Sequence, residues 1–354
     1  MAEVDKSKTQ INQSGIFTVA DEIARVDVNR PHIVVVGSGA SVAAFPNGDK
    51  NGKKLPTMAN FASTLGLDSL LQNNGVSPPY QDFEGVYTKL IGDPKKQHLI
   101  RTIEQIIENY FGSLELPDTP TLYDHLILSL RPKDVIATFN WDPFLCQACV
   151  RNCHFTEPPQ IVFLHGNAAI GFCPEHPRVR GPRYGHCDCG RPFEASKLLY
   201  PVANKNYNAD GFISGEWKAL KQIMRDAFAL TFFGYGAPKT DVEAVDLMRT
   251  GWGTPEERKF EETEIIDIKT EGELVQTWSD FIHTHHYQTR TSFYESLAAR
   301  HPRRTCEHLW ARLMEARWPQ RVEFPRAASF DELYAWLRPR LEAEQKQLPT
   351  PVDR

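Results

Sequence analysis

The chain has 354 residues, 41% of them hydrophobic, enough to bury a large core and to exclude disorder throughout. Its formal charge of -5 gives no global attraction to nucleic acid or to an acidic membrane surface, so any such contact has to be local. The opening Met1-Ala2-Glu3-Val4-Asp5-Lys6 lacks the apolar segment of a secretion signal, and no later run approaches the roughly 20 apolar residues that span a bilayer. The expected location is the cytoplasm, without membrane contact. Seven cysteines would leave one unpaired. Their clustering in short stretches suits metal binding or reduced thiols better than a secreted disulfide framework.

Residues 1–31 read as a polar N-terminal arm with one short helix near 17–23. Continuous apolar runs follow at 33–36, 135–139, 161–164 and 230–233, with a weaker one at 265–268. Such runs indicate strands covered on both faces. Between them, helical patterns fall at 58–71, 97–111, 122–130, 143–152 and 216–230, and Asp142-Pro143 is a good N-cap and first-turn pair. Strands alternating with helices imply an α/β fold with a Rossmann-like, doubly wound parallel sheet, placed at 32–282. Residues 171–192 interrupt the pattern with closely spaced glycines and prolines around cysteine and histidine, and read as a small inserted module. Residues 283–354 read as a helical, arginine-rich extension. Surface arginines on helices are usually solvated, yet Tyr287, Tyr294, Arg304, Trp310 and Trp318 also have the composition of an interface. If the extension does not simply pack on the sheet, it would serve assembly or a partner. The acidic balance gives no nucleic-acid footprint, and any such contact would have to come through this extension.

Chemistry is concentrated where the strand-like runs stop, the edge at which ligands bind in open parallel sheets. Gly37-Ser38-Gly39-Ala40-Ser41 follows the first run, and its backbone can turn tightly and approach a pyrophosphate. Val42 stands where a dehydrogenase fingerprint has its third glycine, so that pattern is not met and a plain strand-to-helix turn is the alternative. Thr138-Phe139-Asn140-Trp141-Asp142 ends the second run. Asn140 is placed to hold ribose hydroxyls or a water, or is a turn asparagine; Asp142 is a cap, and Trp141 packs or covers a base. His165, in Leu164-His165-Gly166, ends the third run, and its imidazole titrates near neutral pH. A lone histidine there is more often structural, but a base and an orienting amide at neighbouring strand ends can converge on one reacting carbon. Gly234-Tyr235-Gly236 ends the fourth run and suits an adenosine half.

Cys173-x-x-His176 and Cys187-x-Cys189 offer four ligands on two knuckles, a donor set that suits tetrahedral zinc, with His186 as an alternative to His176. A metal-free loop with reduced thiols is the other reading. Cys146, Cys149 and Cys153 have the spacing of a helical core stripe.

Taken in order, the glycine-serine loop, the T-x-N-x-D and L-H-G segments, the cysteine-bearing insertion and Phe233-Gly234-Tyr235-Gly236-Ala237-Pro238 resemble the sirtuin family over roughly 200 residues. The resemblance implies NAD as substrate. It gives Asn140 and His165 the roles of breaking the bond between nicotinamide and ribose, and Gly37, Ser38, Gly39, Ala40, Ser41, Asn140, Asp142, Gly234, Tyr235 and Gly236 the binding of the dinucleotide. It also implies zinc in the insertion. Sirtuin deacylases continue from the first loop with isoleucine-proline-aspartate-phenylalanine-arginine, whereas this chain reads Phe45-Pro46-Asn47-Gly48-Asp49-Lys50 and then Leu55-Pro56-Thr57. That departure looks more like the sirtuin-like NAD hydrolases of bacterial anti-phage defence. The implied activity is regulated hydrolysis of NAD to nicotinamide and ADP-ribose, restrained in a homo-oligomer or by a regulatory or sensor protein. The alternatives are a protein deacylase, an ADP-ribosyltransferase or a silent NAD or ADP-ribose sensor.

Overall fold

The structure, a computed structural model, describes residues 15–176, 179–202, 207–208, 210–237, 241–282 and 286–347. Three sheets are built from β1 (Ile16–Phe17), β2 (His32–Val36), β3 (Val135–Thr138), β4 (Gln160–Phe163), β5 (Ile170–Phe172), β6 (Arg180–Pro182), β7 (Glu194–Ala195), β8 (Ala229–Phe233), β9 (Glu262–Ile266), β10 (Tyr287–Arg290) and β11 (Trp318–Pro319). The largest has six strands in the order β10-β9-β8-β2-β3-β4, all pairs parallel. Counted in chain order within that sheet, its strands lie 3-2-1-4-5-6 from the β4 edge, the doubly wound order whose ligand crevice opens where the winding reverses. That reversal falls between β2 and β8, paired from His32↔Ala229 to Val36↔Phe233. Every residue of β2 and β8 is buried, as expected of strands with helices on both faces. The α/β class read from sequence is therefore what the chain forms.

The N-terminal arm contributes β1 and the helix Val19–Ala24, capped by Thr18 and Asp21 in a reciprocal capping box. The pattern at 58–71 resolves into a 3₁₀ turn, Met58–Asn60, and two short helices, Phe61–Thr64 and Asp68–Asn73, because Gly66 turns the chain at a φ of +71°. The helix expected at 216–230 runs instead over Gly211–Asp226. Asp210 starts it by accepting from the amides of Phe212 and Ile213, and Ala227 leaves it in extended conformation to enter β8.

The segment after 282 is not wholly helical. β10 continues the main sheet in register with β9, Tyr287↔Thr263 through Arg290↔Ile266, so a division at 282 falls between two strands of one sheet. The remaining extension, including helices Thr305–Met314 and Phe330–Gln347, packs inward through Cys306, Leu309, Leu333 and Leu337. Its arginines are also not all solvated. Arg304 is fully buried and donates to the Glu344 carboxylate and to the carbonyls of Ile23 and Arg340, while Arg303 donates to Glu344 and to Leu130 O. β11 pairs in parallel with β1, tying the extension to the N-terminal arm. Tyr294, expected on an interface, instead hydrogen-bonds His125 Nδ1 through its hydroxyl at 2.8 Å. Trp318 is 71% exposed. Among the described residues no helix is long and apolar enough to cross a membrane.

Candidate functional site

The close approach of the β2 and β8 loops shapes the crevice. Gly37 N donates to Phe233 O, and Gly39 N to Gly234 O at 2.9 Å. A Cβ on Gly37 would lie 2.6 Å from Gly234 O, and one on Gly234 would lie 2.2 Å from Ala40 N at a φ of +61°. The glycines expected to cradle a pyrophosphate thus first let two loops touch. Gly39 and Ala40 are absent from the cavity lining, and Ala40 is fully buried. Gly37, Ser38, Ser41, Asn140, Asp142, Gly234, Tyr235 and Gly236 do line it.

This cavity encloses ≈ 300 Å³, the small end of the range typical of ligand sites. It brings Asn140 and His165 together with the apolar side chains of Leu55, Pro56, Phe61, Phe111, Phe139 and Trp141. Among the described lining residues there is no lysine or arginine, whereas Glu84, Asp142 and Asp241 all face the space.

Asn140 is held on three sides. Its Nδ2 donates to Gly37 O at 3.0 Å and to Ser41 Oγ at 2.9 Å, with Tyr123 OH 3.3 Å away. Because Gly37 O can only accept, the amide must present Nδ2 inward, which leaves Oδ1 as the acceptor not committed to this network. Ser41 Oγ donates to Asp142 Oδ2 at 2.7 Å and lies 2.6 Å from Tyr123 OH. The Ser41 hydroxyl, expected at a cofactor, is therefore spent on orienting Asn140 and Asp142. Burial pushes the Asp142 carboxyl up to about 6, against the lowering effect of the bonds from Ser41 and the Phe144 amide. The helix that follows begins at Phe144 with Pro143 in the cap position, so Asp142, expected as the cap, sits one residue before it.

His165 is 8% exposed. Its Nε2 is 3.0 Å from Tyr207 OH, and its ring meets Phe139 edge-on at 4.8 Å. Burial raises the Tyr207 phenol well above its ordinary value, so it stays protonated and, as a hydroxyl, can accept from Nε2–H or donate to Nε2 according to the tautomer. Phe139 stacks on Tyr235 at 4.0 Å, and Tyr235 OH donates to Asp241. Trp141 packs edge-on against Phe61 and Phe111 and forms part of the cavity wall.

Four participants escape sequence reasoning. Tyr123 lies in a helix whose periodicity marks it as core, and Tyr207 and Asp241 belong to no strand end. Asn167, whose Nδ2 donates to Asp142 O at 2.7 Å and whose backbone amide donates to Ser196 Oγ, ties the β4 loop to the β3 loop. Its position two residues past His165 is the one local signal. Asp49, in the segment that replaces the deacylase motif, turns away: its carboxylate accepts from the amides of Asn51, Lys53 and Glu115, while Leu55 and Pro56 form cavity wall.

The insertion is a three-stranded antiparallel sheet, β6-β5-β7, with Phe193 packed into space left by Gly171, Gly181 and Gly185. Arg180 pairs with Glu216, which also accepts from the Phe163 amide, fixing the module to the end of β4. Cys173, His176, Cys187 and Cys189 lie with all ligand atoms within 4.8 Å of one another, and His186 is outside the group. Cys173 Sγ to His176 Nδ1 is 3.6 Å, Cys187 Sγ to His176 Nδ1 is 3.6 Å, and Cys173 Sγ to Cys189 Sγ is 3.7 Å. A tetrahedral zinc with bonds of about 2.3 Å to sulfur and about 2.0 Å to nitrogen has edges of roughly 3.5 to 3.8 Å. Donor set and spacing both fit zinc. Cys146 and Cys149 pack partly against the core, but Cys153 is exposed and leaves the expected stripe incomplete.

No family model matches this chain, and no curated protein does. Solved Sir2 structures are similar. One from work on the mechanism and regulation of Sir2 enzymes is 14% identical with a TM-score of 0.39, covering 84% of this chain and 96% of that one. A Sir2 homologue in complex with NAD is 12% identical with a TM-score of 0.37, covering 82% and 93%. A Sir2 homologue mutant bound to ADP-ribose is 12% identical with a TM-score of 0.39, covering 83% and 96%. At identities and scores this low no chemistry carries over from them, and function has to come from the cavity's own residues.

Proposed function

We propose that the cavity binds NAD and hydrolyses the bond between nicotinamide and ribose. The observation that carries this reading is Asn140, whose amide is locked by Gly37 O, Ser41 and Tyr123 beside His165 in one cavity at the ends of β3 and β4. Aromatic walls and the carboxylates of Asp142 and Asp241 suit a cationic ring and a sugar that gains positive charge. As the C1′–N bond breaks, its electron pair returns to the ring nitrogen and nicotinamide leaves uncharged. Asn140 Oδ1 holds a ribose hydroxyl or the incoming water. Water adds to C1′ and its proton passes to His165 and then to solvent, giving ADP-ribose.

Hydrolysis is favoured over deacylation by the missing isoleucine-proline-aspartate-phenylalanine-arginine segment, whose counterpart here folds back on Asp49. The same departure supports a role in bacterial anti-phage defence by NAD depletion, with assembly or a partner restraining an activity that would otherwise drain the cell. Incubating the chain with NAD, with and without an acyl-lysine peptide, and separating products by chromatography tests the reading. Nicotinamide and free ADP-ribose are expected without peptide. Release that needs the peptide would make it a deacylase, ADP-ribose attached to protein a transferase, and binding without turnover a sensor. The defence role predicts that cellular NAD falls on infection with the wild-type chain but not with His165→Ala.

A further inference from the structure

A second concavity, of ≈ 190 Å³, lies in the C-terminal extension between β10, the helix Thr305–Met314 and β11, and its lining holds Arg290, Arg300, Arg312 and Arg321 with His301 and His308. Two of the four guanidiniums are engaged. Arg312 pairs with Glu262, and Arg290 donates to Gln288 Oε1 and to the carbonyls of Thr289 and Glu295. The side chains of Arg300 and Arg321 have no hydrogen-bond or ion-pair partner among the described residues. Burial first, then the charges of Arg321 and Arg290, hold the Arg300 guanidinium below its ordinary value, outweighing the opposite pull of Glu295 and Glu264.

The imidazoles add no positive charge but offer donors. Burial, followed by the nearby arginines, drives His301 down to about 3, and burial and His301 lower His308 as well. The two rings stack at 3.6 Å, and His308 Nδ1 is buried without a hydrogen-bond partner. Glu22, His301 and His308 also have ligand atoms within 4.8 Å of one another, a spacing that would admit a metal ion. The field argues against it. Burial pushes Glu22 up to about 8, so its 2.7 Å contact with His301 Nδ1 is a neutral hydrogen bond near pH 7, and Arg300, Arg312 and Arg321 would repel a cation. Of the other carboxylates nearby, Glu262 is taken by Arg312 and Glu264 is buried and pushed up to about 7, which leaves Glu295 as the acid in the lining.

We propose that this pocket is a second ligand site, which binds a phosphate-bearing small molecule through Arg300 and Arg321. Guanidiniums present paired donors that match phosphate oxygens, and the neutral His301 and His308 rings complete the lining without adding an acid that would repel an oxyanion. Trp318, 71% exposed on the rim, gives a planar face for a base. The shared chemistry is a phosphate or diphosphate group, whether inorganic or carried by a nucleotide.

Titration calorimetry of the full chain with inorganic pyrophosphate and with ADP tests this. Saturable binding of at least one is expected, weakened at least 10-fold in Arg321→Gln, whose exposed side chain is no part of the core, and again in Arg300→Gln. Melting temperature should not fall in either variant, since each substitution relieves repulsion between like charges. Asn140→Ala should leave this binding unchanged, which separates the site from the NAD cavity. Tighter binding of ADP than of pyrophosphate, lost in Trp318→Ala, assigns a nucleotide; equal binding assigns the inorganic anion. Absence of saturable binding by the wild-type chain, binding that survives both arginine variants, or binding abolished by Asn140→Ala would overturn the proposal.

Discussion

The two concavities of this chain differ most in charge. The cavity at the β2–β8 reversal is walled by aromatic rings and three acids and has no lysine or arginine among its described lining residues; the pocket in the extension has four arginines and one acid. A single net charge of -5 describes neither. Ligand class follows from what a lining leaves uncompensated. At the first site that is an acceptor amide beside a cation-friendly wall, and at the second, guanidiniums without partners.

The comparison breaks most completely if the extension is removed. Deleting residues 283–354 takes away β10, the Arg304–Glu344 pair and the apolar contacts of Leu309, Leu333 and Leu337. We expect no cooperatively folded protein, read as loss of the thermal transition. A truncated chain that melts cooperatively would show that the main sheet does not need its sixth strand.

Loss of the Cys173-His176-Cys187-Cys189 cluster comes next. Zinc content near one equivalent is expected by elemental analysis, and Cys187→Ser should lower both metal content and melting temperature, because closed zinc sites contribute directly to folding. Unchanged stability after replacement of both Cys187 and Cys189 would remove the metal from the account.

Asp142 sharpens the electrostatic side of the comparison. Its folded value, about 6, lies above the roughly 3.9 of an unfolded aspartate, so the folded state holds this proton more tightly. Stability from this group is full below about pH 4, declines as pH rises through about 6, and is then lower by about 2 to 3 kcal/mol. Asp142→Asn should therefore gain stability relative to wild type at pH 8 but much less at pH 4, as read by urea unfolding. An equal difference at both pH values would contradict a buried, proton-holding carboxyl. A smaller effect is expected at the loop contact: Gly234→Ala, with its Cβ against Ala40 N at positive φ, should cost more than about 1 kcal/mol and reduce NAD turnover.

Much of this was legible in the residues. Four buried runs marked β2, β3, β4 and β8, since continuous apolar stretches have few other uses, while the weaker run at 265–268 met β9 only at Ile265 and Ile266 and ends on an exposed Ile268; the polar residues ending the first four are those the fold gathers. β10 was not legible: Tyr287-Gln288-Thr289-Arg290 is half-buried at the sheet edge and carries no apolar run. The glycines of the first loop show a related limit. Sequence shows that a backbone can come close to something, and only the fold shows that for Gly37 and Gly39 the partner is the β8 loop. Tyr123 and Tyr207 look like core aromatics in sequence, because a hydroxyl's partner is set by distant elements. Burial of Arg303 and Arg304 was likewise invisible, their counter-ion Glu344 lying 41 and 40 residues further on.

The central claim, that Asn140 and His165 act on one bond of NAD, is tested most directly by the rate of nicotinamide release from NAD by the wild-type chain, Asn140→Ala and His165→Ala, each checked for an unchanged melting profile. Loss of a positioned acid–base group or its orienting partner predicts rates lower by roughly 100-fold to 10,000-fold in both variants, with the fold intact. Near-wild-type release by either folded variant would contradict the assignment.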